Sequence, residues 1–85
     1  MPKGRDDANA ARRAVYLELL IEARLSAKLT QAELASFAGV SQPYVSQVEA
    51  GKIRLDAVQL VGWLHACRSN LGWFGRALEK GIDGF

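Results

Sequence analysis

Residues 31–50 read QAELASFAGVSQPYVSQVEA, and this segment decides the fold. Thr30 followed by Glu33 forms a capping box, in which hydroxyl and carboxylate satisfy open amides at a helix start. A helix is therefore predicted from Gln31, with Leu34, Ala35 and Ala38 inward and a stop at Gly39, which accepts the left-handed conformation that ends helices. Ser41 suits the next N-cap, and Pro43 is tolerated in a first turn, where amides have no intrahelical partner. The helix that follows runs to about Ala50, with Val45, Val48 and Glu49 inward and Gly51 as its stop. Two short helices joined by so few residues must cross steeply, and Ala35 and Gly39 supply small residues for the crossing. The outer face of the second then carries Gln42, Pro43, Ser46 and Gln47, polar, uncharged and rich in hydrogen-bonding groups.

Upstream, residues 10–27 lack Gly and Pro, and Tyr16, Leu20, Ala23 and Ala27 recur at helical spacing, so a first helix is expected there. Residues 1–9 show no apolar periodicity and read as a flexible N-terminal arm, leaving 10–85 as the folded domain. Downstream, Asp56 and Gln59 make a second capping box before the stripe Ala57, Leu60, Val61 and Leu64. Ser69 or Asn70 can cap a last helix from about Leu71 to Lys80, which Gly72 and Gly75 weaken by about 1 kcal/mol each. The expectation is an all-α, compact five-helix domain.

Eighty-five residues offer one core and no room for a separate catalytic domain. With 49% apolar and 24% charged residues, the chain has the composition of a folded globule. No apolar run approaches a membrane span or a signal-peptide core, so a cytoplasmic protein is expected. Cys67 stands alone, which excludes an internal disulfide and leaves it as a core filler; no metal and no cofactor are expected. No nucleophile sits with a base and no phosphate loop is present, so an enzyme is not expected. A net charge of +2 permits nucleic-acid binding without demanding it. The cations fall into two small groups, Lys3, Arg5, Arg12 and Arg13 near the start, and Lys52 and Arg54. His65 has no partner histidine and suits a surface or capping role.

On the pieces TQAELA, residues 30–35, and AGVSQPYVSQVEAGK, residues 38–52, together with the stripe of the fourth helix, the sequence resembles the phage repressor and Cro helix-turn-helix proteins, the xenobiotic-response-element (XRE) family. The resemblance covers roughly Tyr16 to Phe74 and implies a lambda-repressor-like DNA-binding domain whose third helix lies in the major groove while the second crosses above the backbone. It further implies that Gln31 contacts phosphate and braces Gln42, the first recognition residue. Gln42, Pro43, Ser46 and Gln47 are the base-contact candidates. A glutamine amide matches N6 and N7 of adenine, and Pro43 offers apolar surface to a thymine methyl. Gln31, Ser41, Tyr44, Lys52 and Arg54 are the phosphate-contact candidates. Arg24 and Glu49 match a structural ion pair linking the first helix to the end of the third.

Trp63, Trp73, Phe74, Leu78, Ile82 and Phe85 are more apolar surface than so small a globule easily hides. In repressors of this family the last helix often forms a two-fold contact, so Trp73, Phe74 and Leu78 are expected to form a homodimer interface. The functional expectation is a sequence-specific transcriptional regulator, a repressor, binding a pseudo-palindromic double-stranded DNA operator as a homodimer. The alternative is a protein-interaction module, such as the antitoxin of a toxin–antitoxin pair, whose C-terminal aromatics bind a partner protein.

Overall fold

Side-chain caps fix where the later helices begin. In the computed structural model, which describes residues 3–82 and the side chains from residue 8 onward, the order is α1 (Lys3–Ser26), α2 (Gln31–Ala38), α3 (Gln42–Glu49), α4 (Ala57–Ala66) and α5 (Leu71–Gly81). At α2 the Glu33 amide donates to Thr30 Oγ1 at 3.0 Å and the Thr30 amide to Glu33 Oε1 at 2.9 Å, so both halves of the capping box form. Asp56 and Gln59 repeat it at α4, at 2.7 and 2.8 Å. Ser41 Oγ accepts from the Tyr44 amide at 3.2 Å, and Asn70 Oδ1 from the Trp73 amide at 2.8 Å.

The helix ends share one device. After α1, α2, α3 and α4 the chain closes in a Schellman motif, with the 6→1 bond running from Leu29 to Arg24, Val40 to Ala35, Lys52 to Gln47 and Ser69 to Leu64. The residue turned left-handed is Lys28, Gly39, Gly51 and Arg68 respectively. Gly39 does not supply space at the helix crossing, as the sequence suggested, because a Cβ there would meet nothing within 4 Å; its φ of +72° is what calls for glycine. Gly51 serves both ends, with φ +79° and a Cβ position 3.0 Å from Leu17 Cδ1.

The core is built where α1 packs against α3, α4 and α5, and α2 against α3 and α4. Leu20, Leu34, Val45, Val48, Leu64 and Phe74 are fully enclosed. Ala35 is buried on the inner face of α2. Trp63 pins α4 to α1 by donating its indole N–H to the Leu20 carbonyl at 3.2 Å, which satisfies the one polar atom of a buried ring. Cys67 is buried in this core, and burial pushes its thiol up to about 11, against a small lowering from Arg24. Among the described residues no helix is long and apolar enough to cross a membrane.

Three expectations are corrected. Residues 3–9 are helical and continuous with α1 rather than irregular: once a helix has nucleated, each added residue gains one hydrogen bond, and no proline falls between Pro2 and the end of α1. Met1 and Pro2 lie outside the described residues. On α4 the inward face runs through Trp63 and Leu64, with Leu60 half-buried and Ala57 exposed, because the large indole takes the position against α1. Phe74 is core and not interface: it is 1% exposed, with its ring edge-on to Tyr16 at 5.7 Å. Trp73 and Leu78 are half-buried and pack on the same cluster. Phe85 lies outside the described residues.

Candidate nucleic-acid interface

The three residues between α2 and α3 set the two helices across one another, and the α3 cap turns its first two residues, Gln42 and Pro43, into solvent. Val45 and Val48 face the core, so helical geometry places Pro43 and Gln47 on the opposite side and Gln42 on the flank toward α2, all exposed, with Ser46 half-buried beside them. The polar outer face read from the sequence is therefore present. Tyr44 is half-buried and packs on the core, close enough to Tyr16 to raise that phenol further above its ordinary value; burial of Tyr16 is the larger cause, with Arg13 opposing.

A chain of side-chain hydrogen bonds runs from α1 to the tip of α3. Arg24 Nε donates to Glu49 Oε2 at 2.7 Å and Nη2 to Oε1 at 3.1 Å, a bidentate pair, while Nη1 holds the Leu29 carbonyl at 2.8 Å. The pair is almost enclosed, with 13% of the Arg24 side chain and 6% of the Glu49 side chain exposed. Glu49 Oε1 also accepts from Gln31 Nε2 at 2.9 Å, and Gln31 Oε1 in turn accepts from Gln42 Nε2 at 2.9 Å.

This order of donors fixes the orientation of both amides. Both carboxylate oxygens of Glu49 are acceptors, so Gln31 must turn its NH2 toward them and its carbonyl oxygen toward Gln42. Gln42 must then spend one N–H on Gln31, which leaves its carbonyl oxygen and its second N–H open to solvent. A donor and an acceptor in one plane, held by the core ion pair, are what a base edge requires. The brace of Gln42 by Gln31 was expected. What sequence reasoning missed is that Gln31 is itself held by Glu49, so the structural pair and the reading residue are one network. The 18-residue separation of Gln31 from Glu49 carries no periodic signal that would show it.

Lys52 and Arg54 are exposed in the segment joining α3 to α4, following the Gly51 turn. Ser41 is exposed at the α3 cap and Gln31 half-buried at the start of α2, so both lie at the edge of the same face. Lys3 and Arg5 fall on residues whose side chains are not described. No group of His, Cys, Asp and Glu among the described residues is arranged to hold a metal ion.

The family model described as "Helix-turn-helix" matches residues 20–74. Among solved structures, the chain is similar to an XRE-family like protein from Pseudomonas syringae pv. tomato str. DC3000, at 30% identity and a TM-score of 0.84, covering 93% of this chain and 96% of that one. No curated protein is significantly similar to the chain. The family match spans the two crossed helices and the core that carries them, and the structural match extends over nearly all the rest. The chain belongs to the XRE family of helix-turn-helix proteins, whose fold is that of a DNA-binding transcriptional regulator.

Proposed function

We propose that the protein is a sequence-specific regulator, a repressor, that reads double-stranded DNA with the outer face of α3 in the major groove and binds a pseudo-palindromic operator as a pair of identical chains. The observation that carries this reading is the bonded order Arg24–Glu49–Gln31–Gln42, which leaves Gln42 with one acceptor and one donor facing outward. Adenine presents N6–H and N7 in the major groove, and the free amide edge of Gln42 complements that pair. Gln47, Ser46 and Pro43 lie beside it as further base contacts. Gln31, Ser41, Tyr44, Lys52 and Arg54 border them as phosphate contacts, and phosphate contacts set register on the duplex. Occupancy of an operator by such a surface is enough to block transcription, which is why repression is the simplest outcome. The protein-partner alternative draws little support, since Phe74 is buried and Trp73 half-buried.

Repeated selection of bound duplexes from a randomised pool tests the proposal. The expected outcome is enrichment of one motif occurring as two inverted half-sites, with adenine at the position facing Gln42. A pool that stays random under binding conditions would contradict it.

A further inference from the structure

The face of α1 turned away from the core carries its own pattern. Ala14, Glu18, Ile21 and Leu25 are spaced by four, three and four residues, the spacing of a helix seam, and Lys28 follows three residues later beyond the helix end. Ile21 is half-buried and the other four are exposed, Leu25 by 58%. Glu18, Glu22, Ile21, Leu25 and Ser26 line one shallow trough; Glu22 and Ser26 also line the next, with Lys28, Arg68 and Trp73. The surface is therefore one continuous strip, acidic at Glu18 and Glu22, apolar in the middle and basic at Lys28 and Arg68. Among the described residues, none of these four charged side chains makes a side-chain ion pair or side-chain hydrogen bond.

We infer that this strip pairs with the same strip of a second copy, α1 against α1 in antiparallel order. The pattern is self-complementary about one point: Glu18 with Lys28 of the second copy and Ile21 with Leu25 of the second copy are both centred on position 23. A single two-fold axis therefore satisfies the charged pairs and the apolar pairs together, as an isologous contact requires. A parallel arrangement would set Glu18 against Glu18 and Lys28 against Lys28. The seam is about three turns long, far short of the roughly 1,600 Å² of a standard stable interface, so the association is weak and concentration-dependent.

The contact goes beyond the pairing on one operator. α1 and α3 meet through their inner faces, tied by Arg24 and Glu49, so the outer strip of α1 lies on the far side of the core from Gln42 and Gln47. It stays open when α3 is on DNA, and it joins molecules bound at separate sites.

Sedimentation equilibrium of the full chain tests this with two reversals, Glu18→Lys and Lys28→Glu. Each alone sets like charges against one another at the paired positions 18 and 28, and should sediment as a monomer at concentrations where the unaltered protein self-associates. Mixed in equal amounts, the two variants carry opposite signs at these positions and should associate again, through as many charged pairs as the unaltered protein makes. Both positions are exposed, and circular dichroism of each variant confirms the helical fold. An unaltered protein that stays monomeric throughout the range, variants that associate like it, or a mixture that stays monomeric would each overturn the inference. Operator affinity measured on the same variants separates this contact from the reading of DNA: each single variant should retain the half-site preference, and that result stands or falls independently of the sedimentation.

Discussion

Gln42 is exposed, and in a free helix its amide would sample several rotamers; the bond to Gln31 Oε1 removes that freedom before any base arrives. Preorganisation of this kind lowers the entropy cost of recognition and makes the wrong base costly, because a buried amide left unpaired is penalised. Replacing Gln42 with Ala should therefore flatten the preference at one position of each half-site by about 1–3 kcal/mol while thermal stability stays close to that of the parent. Titrating parent and variant against the selected site and its single-base variants measures this, and unchanged ratios would remove Gln42 from the reading set. Arg24→Ala acts on the same network from its enclosed end. It strands the Glu49 carboxylate beside the core and should cost about 3–5 kcal/mol in denaturant unfolding. A variant that unfolds at the parent midpoint would show that the pair carries no stability. Arg24, Glu49, Gln31 and Gln42 were all legible as members of a known pattern. Their linkage through Glu49 Oε1 was not, because a carboxylate oxygen accepting from two helices at once is a tertiary fact.

The starts of α2, α3 and α4 were readable in the sequence, the start of α1 was not, and helix ends were readable only in part. Capping depends on a side chain at a fixed offset from the amide it serves, so Thr30, Ser41 and Asp56 announce themselves, and of the two candidates for the last helix, Ser69 and Asn70, the structure uses Asn70. A Schellman end depends on one residue turning left-handed, and that is visible only where glycine takes the position, as at Gly39 and Gly51. Lys28 and Arg68 do the same at φ +59° and +58° with nothing in their chemistry to announce it. A side chain in that region costs about 1–2 kcal/mol, partly offset by the extra unfolded-state freedom of glycine. Lys28→Gly and Arg68→Gly should each raise stability by about 0.5–1 kcal/mol, and Gly39→Ala should lower it although the space around its Cβ is empty. Thermal melts of the three variants decide the matter. A loss at both Lys28 and Arg68 would mean that their side chains contribute more than the backbone strain costs.

For the molecule as a whole, the burial of Phe74 marks the limit of sequence reading. An aromatic cluster near the C-terminus looks like surplus apolar surface when counted along the chain, but α5 folds back on α1 and places the Phe74 ring against Tyr16. Periodicity shows which residues share a face and not which neighbour that face meets. What remains outside is sparse: a net charge of +2 and a reading surface without formal charge. A small number of phosphate contacts gives weak nonspecific attraction, and one recognition helix reads only a few base pairs, so a single chain on a single half-site should bind weakly. Two chains on one face of the duplex, with half-sites about one turn or 34 Å apart, overcome this. The most direct measurement compares the affinity of the protein for three duplexes: the selected two-fold site, one half-site, and the two-fold site with about five base pairs inserted at its centre, which turns the second half-site to the opposite face. Tight cooperative binding to the first, and weak binding of similar strength per half-site to the other two, is the expected result; equal affinity per half-site for all three would contradict it.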